Sequence, residues 1–270
     1  MKSNNLPLLA AITLAGISST QAAVVARYDA SGLSDGAITT WADSSGNGYD
    51  ATNTGNPMVV AGAGAKQNGL AVVNFDGDDY FTIPDTYTIG TAFSVAKYSS
   101  ATNPGNFNFY DGLFSGDGSA GAEIYWSGHN GSTDLWSETA LDSRYLNGTL
   151  SEAGAPGSFN LYSGVDASTQ TLTGYNIGAD RSSVFAATRA WEGDIAEIIL
   201  YDTALSDFDR MGVEVYLDEK WGLGQNLSTA YGTGNYNTDL GALGLIPEPG
   251  SYALLAGLTG LVFVMVRRRR

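Results

Sequence analysis

Residues 72–83, VVNFDGDDYFTI, decide the fold. β-branched and aromatic residues stand on both sides of Asp76-Gly77-Asp78, a turn sequence, so residues 71–75 and 80–83 read as two strands joined by a tight turn. The same grammar recurs outward in both directions. Residues 24–28, 93–98, 123–126, 170–175 and 195–201 are further β-type runs, separated by turn clusters such as Ser44-Ser45-Gly46-Asn47-Gly48 and Asn130-Gly131. Helix signals are almost missing before residue 206. Many short strands without alternating helices predict an all-β chain, an antiparallel β-sandwich.

One short α-helix is expected near the C-terminal end of this domain. Ser206 can cap its start with Asp209 as the capping-box acid, Phe208, Met211 and Val215 fall on one face, and Gly222 can close it. From 226 to 246 the chain turns rich in Gly, Asn, Thr and Tyr, which reads as a spacer.

The two termini differ from this middle. Lys2, an apolar stretch over residues 6–17 and the small residues ending at Ala22-Ala23 have the order of a secretory signal peptide over residues 1–22. Thr20 and Ala22 suit the minus-three and minus-one positions, so the mature chain is expected to start at Ala23. At the other end, residues 252–266 form an uncharged apolar run followed by Arg267, Arg268, Arg269 and Arg270. As a helix this run spans roughly 22 Å at about 1.5 Å per residue, short of a hydrocarbon core of roughly 30 Å. The arginine cluster would hold its end in the cytoplasm.

Without Lys2, Glu248 and the four terminal arginines, 27 acidic and 8 basic residues remain, a net charge of −19. Such a chain repels phosphate backbones, so nucleic acid is not an expected partner; it can gather divalent cations. Cysteine is absent, so the core must hold the fold without bridges, which about 220 residues can do.

Residues 246–270, IPEPGSYALLAGLTGLVFVMVRRRR, resemble the PEP-CTERM sorting signal of Gram-negative bacteria: Pro247-Glu248-Pro249, a short apolar helix and an arginine cluster, in that order. The resemblance implies recognition by an exosortase, transient tethering to the inner membrane, and delivery to the cell surface or to the extracellular matrix of a biofilm. The middle resembles the laminin-G-like, concanavalin A-like lectin/glucanase jelly rolls. ARYDASGL (26–33), WADSSGNGYDAT (41–52), VVNFDGDDYFTI (72–83) and GDIAEIILYDTALSDFDRMGVEVYLDEKWGL (193–223) carry that likeness. It implies a jelly roll over residues 23–225 and carbohydrate binding.

Candidate chemistry is limited. Asp76, Asp78 and Asp79 place three carboxylates in four residues, and Asp43, Asn47 and Asp50 form a second oxygen-rich loop; both are candidate Ca2+ ligand groups, although neither has EF-hand spacing. Turn shaping is the competing reading for both loops. His129 is the one histidine and there is no cysteine, which disfavours zinc and leaves little for a catalytic triad. The strand motif of paired acids typical of the sandwich glucanases is missing, and alternation along a strand would put Asp194 and Glu197 on opposite faces. Gly116 to Gly121 fits G-x-G-x-x-G, but precedes a β-like run and not a helix.

Aromatic and amide residues concentrate over residues 106–136. Within them Tyr110, Tyr125, Trp126, His129, Asn130 and Trp136 are the candidate carbohydrate contacts, with core filling as the alternative use of the aromatics. The expected function is therefore a non-catalytic carbohydrate-binding or adhesive module at the cell surface or in an exopolysaccharide matrix. A polysaccharide-cleaving hydrolase or lyase of the same fold and a passive structural matrix protein are the alternatives.

Overall fold

The computed structural model describes residues 22–61, 67–102, 105–108, 110–116, 124–128, 131–136, 141–181 and 188–245. The expected signal peptide over residues 1–22, all but Ala22, lies outside these. So do Pro247, Glu248, Pro249, the 252–266 run and Arg267 to Arg270. Among the described residues no helix is long and apolar enough to cross a membrane.

Among the described residues fourteen strands form one connected sheet in which every ladder is antiparallel, as the turn-punctuated β runs predict. They are β1 (Val24–Asp29), β2 (Gly36–Ala37), β3 (Thr40–Trp41), β4 (Ala51–Thr54), β5 (Met58–Val60), β6 (Val72–Asp76), β7 (Tyr80–Tyr98), β8 (Gly112–Gly116), β9 (Ile124–Gly128), β10 (Leu135–Trp136), β11 (Ser143–Leu146), β12 (Thr149–Leu150), β13 (Asn160–Ile177) and β14 (Glu192–Tyr201). Two helices follow, α1 (Asp207–Trp221) and α2 (Leu227–Tyr231).

The long strands β7 and β13 organise the sheet, because each takes part in two neighbourhoods. Residues 91–96 of β7 pair with 160–165 of β13, flanked by β14 and β11; residues 81–83 pair with 175–177, flanked by β4 and β8. Register shifts between the two stretches let the ladder change direction. The halves close over a shared core in which Trp41, Phe81, Ile83, Phe114 and Tyr175 meet Ala92, Ala96, Ile195, Ile198 and Leu200.

Alternation then dictates the other face. Phe93, Val95, Ile199 and Tyr201 point away from that core and pack with Leu161 against Val213, Leu217 and Trp221 of α1. Both faces of this part of the sheet are covered, so residues 89–96 are buried without interruption. Trp41, Trp126, Trp191 and Trp221 are among the largest fully buried side chains, each removing roughly 150–250 Å² from water.

α1 has the expected cap: Ser206 accepts from Asp209 N and its hydroxyl donates to Asp209 Oδ2 at 2.7 Å, and Gly222 closes the helix in the left-handed region. Its buried face matches the predicted one only in part: Val215 is buried in the cluster and Met211 half-buried. Phe208 is exposed, whereas Val213, Leu217 and Trp221, at i, i+4 and i+8, face the sheet. The expected spacer is also corrected. Residues 226–245 carry α2 and bury Leu227, Leu243 and Leu245 in the same cluster as α1; three leucines on a polar background are enough to dock the segment.

Candidate functional site

The β6–β7 turn brings together the carboxylates that the sequence placed there. Gly77 adopts φ +102°, open to glycine at little cost, and a Cβ there would meet Glu192 Cγ at 3.0 Å. The chain therefore turns tightly beside β14, where Glu192 pairs with Asp76 across the ladder. Ligand oxygens of Asp76, Asp78 and Asp79 lie within 4.8 Å of one another. Asp76 and Asp78 are exposed, while Asp79 is buried and accepts a short hydrogen bond from Asn56 N. The Asp78 carboxyl titrates above its usual range because it shares a hydrogen bond with Asp76 and feels its charge; burial raises that of Asp79. Three carboxylate oxygens at this spacing suit part of a Ca2+ shell, which takes six to eight oxygens.

The second oxygen-rich loop is a fastening. Asp43 Oδ1 accepts from Arg27 N and Ser45 N, both at 2.9 Å, and Oδ2 from Ser45 Oγ at 2.8 Å and Tyr49 N at 3.2 Å. Asn47 turns its amide nitrogen inward, donating to Val24 O at 2.9 Å and Val25 O at 2.8 Å. Asp50 Oδ1 accepts from Asp43 N. Both oxygens of Asp43 and Oδ1 of Asp50 are thus engaged with donors, and turn chemistry accounts for these contacts.

The aromatic candidates divide. Trp126 is 2 % exposed and lies in the shared core with Leu135 and Tyr162, so its indole face is not offered to a ligand. Tyr110 is half-buried with φ +66°, and the Arg189 guanidinium stands 5.1 Å from its ring centre. Tyr125 lies on β9 and Trp136 on β10. His129 and Asn130 lie outside the described residues. A small pocket between Trp126, Tyr145, Tyr162 and the Arg144–Glu152 ion pair is rimmed by Ser151.

Asp111 was not singled out as a site by sequence reasoning. Its Oδ2 accepts from Tyr98 Oη at 2.5 Å, and Tyr98 Oη accepts in turn from Asn108 N at 2.9 Å. Burial, with a contribution from Glu192, pushes the Asp111 carboxyl up to about 7. An acid set among Phe107, Tyr110 and Phe114 is the one sequence signal that could have drawn attention to it.

Asp194 and Glu197 also depart from expectation. A bulge between Ile195 and Glu197 breaks the alternation and brings both to the same face of the sheet. They do not form a catalytic pair. Asp194 accepts from Asn74 Nδ2 at 2.9 Å, whereas Glu197 is fully buried and saturated by Arg27 Nε at 2.8 Å, Lys220 Nζ at 2.7 Å and Trp221 Nε1 at 2.7 Å.

Six cations of the described residues are spent internally in this way. Arg27, Arg144, Arg181, Arg189, Arg210 and Lys220 all sit in ion pairs. The exterior is left anionic. Comparison with protein-family models, with curated proteins and with solved structures returned no match.

Proposed function

We propose that this chain is an exported protein of the cell surface or exopolysaccharide matrix, sorted by an exosortase, whose β domain is a concanavalin A-like jelly roll serving as a non-catalytic carbohydrate-binding or adhesive module. The observation that carries this reading is the order Pro247-Glu248-Pro249, apolar run and four arginines, opposite an N-terminal signal. A cysteine-free β fold covered on both faces suits an extracellular life without bridges. Its anionic exterior favours a neutral glycan, or an acidic one bridged by a divalent cation such as Ca2+.

Two measurements test the reading. Replacing Pro247, Glu248 and Pro249 with alanine should strand the protein in the inner membrane; normal release of that variant overturns the sorting assignment. Calorimetry of the mature protein against the producer's exopolysaccharide, with and without Ca2+, should show heat of binding. Blank titrations under both conditions leave the passive matrix role.

A further inference from the structure

The segment after α2 returns across α1 to the N-terminal edge of the sheet. Asn237 N donates to Phe208 O at 2.9 Å and Asn237 Nδ2 to Asp209 Oδ1 at 2.8 Å. Leu243 and Leu245 are each 2 % exposed. Their carbonyls are held as well: Tyr201 Oη donates to Leu243 O and Arg27 Nη1 to Leu245 O, each at 2.7 Å. α1 is shaped for this crossing. A Cβ at Gly212, in the middle of the helix, would stand 2.3 Å from Asn237 O. Glycine weakens a helix interior relative to alanine, and it occurs where the strap presses on the helix.

Docking leaves no spacer. Pro247 follows Leu245 by two residues, so its Cα lies within about 7 Å of a seated residue. An enzyme that cuts a peptide takes several residues on each side of the bond in extended form, as strand-adding clefts do, and only Ile246 separates the seated chain from the triplet.

We propose that residues 237–245 are a clasp that seats the chain just ahead of the Pro-Glu-Pro triplet, and that processing of the tail waits on release of this clasp from α1. The proposal rests on the reading of residues 247–270 as a sorting tail.

Gly212→Ala in the full-length, membrane-inserted chain tests it. The methyl group takes the place of the Asn237 carbonyl and displaces the strap, while the helix itself gains from alanine. Amides of Leu243 and Leu245 should exchange about tenfold faster or more. In the producing cell, and with thermolysin on the purified full chain, the tail should be removed about fivefold faster. Tyr201→Phe, which loses one hydrogen bond, should shift both readings the same way by less. Unchanged protection of Leu243 and Leu245 in Gly212→Ala overturns the clasp, as does a released strap with unchanged tail removal by both routes. If cells leave the tail intact in wild type and variant alike while thermolysin cuts the variant faster, the clasp stands and the sorting reading fails.

Discussion

The two ends of β14 treat negative charge in opposite ways. At the end beneath α1, Glu197 is enclosed by Arg27, Lys220 and Trp221, and Lys220 also reaches Asp29 at 2.6 Å. The Asp29 carboxyl titrates below its usual range, because its hydrogen bond and charge contact with Lys220 outweigh its burial. At the other end, Glu192 stands beside the β6–β7 turn and within reach of the charge on Asp111, and there Asp78, Asp79 and Asp111 all titrate high. With 8 cations for 27 acids between the two tails, the fold places two of its cations, Arg27 and Lys220, where a helix is seated over a buried glutamate. The remaining carboxylates must share protons or face water.

Removing the buried anion breaks the comparison most severely. Glu197→Ala takes the acceptor from the buried Trp221 indole N–H and leaves the part-buried Arg27 and Lys220 with Asp29 as their shared carboxylate, so a loss of about 3–5 kcal/mol is expected, measured as a fall in the urea midpoint. A loss below about 1 kcal/mol would mean that water replaces the carboxylate and that this end is no better organised than the other.

Acidity separates the ends by sign. The raised Asp111 carboxyl binds its proton more tightly in the folded chain than unfolded, where its value is 3.8. Its contribution is fully present below pH 3.8 and is lost as pH rises through about 7. Asp29 works in reverse: its contribution is present above the unfolded value of 3.8 and is lost as pH falls through the lower folded value. Stability should therefore peak near the unfolded value of 3.8 and decline as pH rises to about 7, the Asp111 part amounting to about 2–4 kcal/mol. Asp111→Asn keeps an acceptor for Tyr98 and should flatten the decline between pH 3.8 and about 7 in equilibrium unfolding. An unchanged slope would place the decline elsewhere.

The smallest effect is expected at the turn itself. Asp76→Asn removes one of three close carboxylates and should raise Tm by about 1–2 °C at neutral pH and low salt. High salt should erase the gain by screening. If Ca2+ raises Tm of the wild type and leaves Asp76→Asn unmoved, the crowding at this end is a ligand site.

The β6–β7 turn was legible because its strands and its turn chemistry lie within twelve consecutive residues. β7 as one continuous strand was not. Pro84 suggests a break, yet a register shift between Tyr175 and Thr173 of the partner strand absorbs it as a bulge. The strap was hidden for a different reason: residues 226–245 have the composition of a loop, and their docking depends on carbonyls meeting Arg27 and Tyr201 from distant strands. Asp43 and Asp76 look alike in sequence. Only the fold shows that backbone N–H groups surround one and carboxylates the other. Trp126 was ambiguous between platform and core, because an aromatic residue is equally at home in either.

The seating of Leu245 on Arg27, beside the Tyr201 end of β14, has a mechanical consequence. Tension drawn through residue 245 enters the domain there, while a load applied at the β6–β7 turn leaves by the Glu192 end of the same strand. β14 is then pulled along its own length, with β7 on one side and β1 and β6 on the other. Its ladder bonds must slip together in shear and do not open one at a time, so the domain should hold on longest when pulled along this axis.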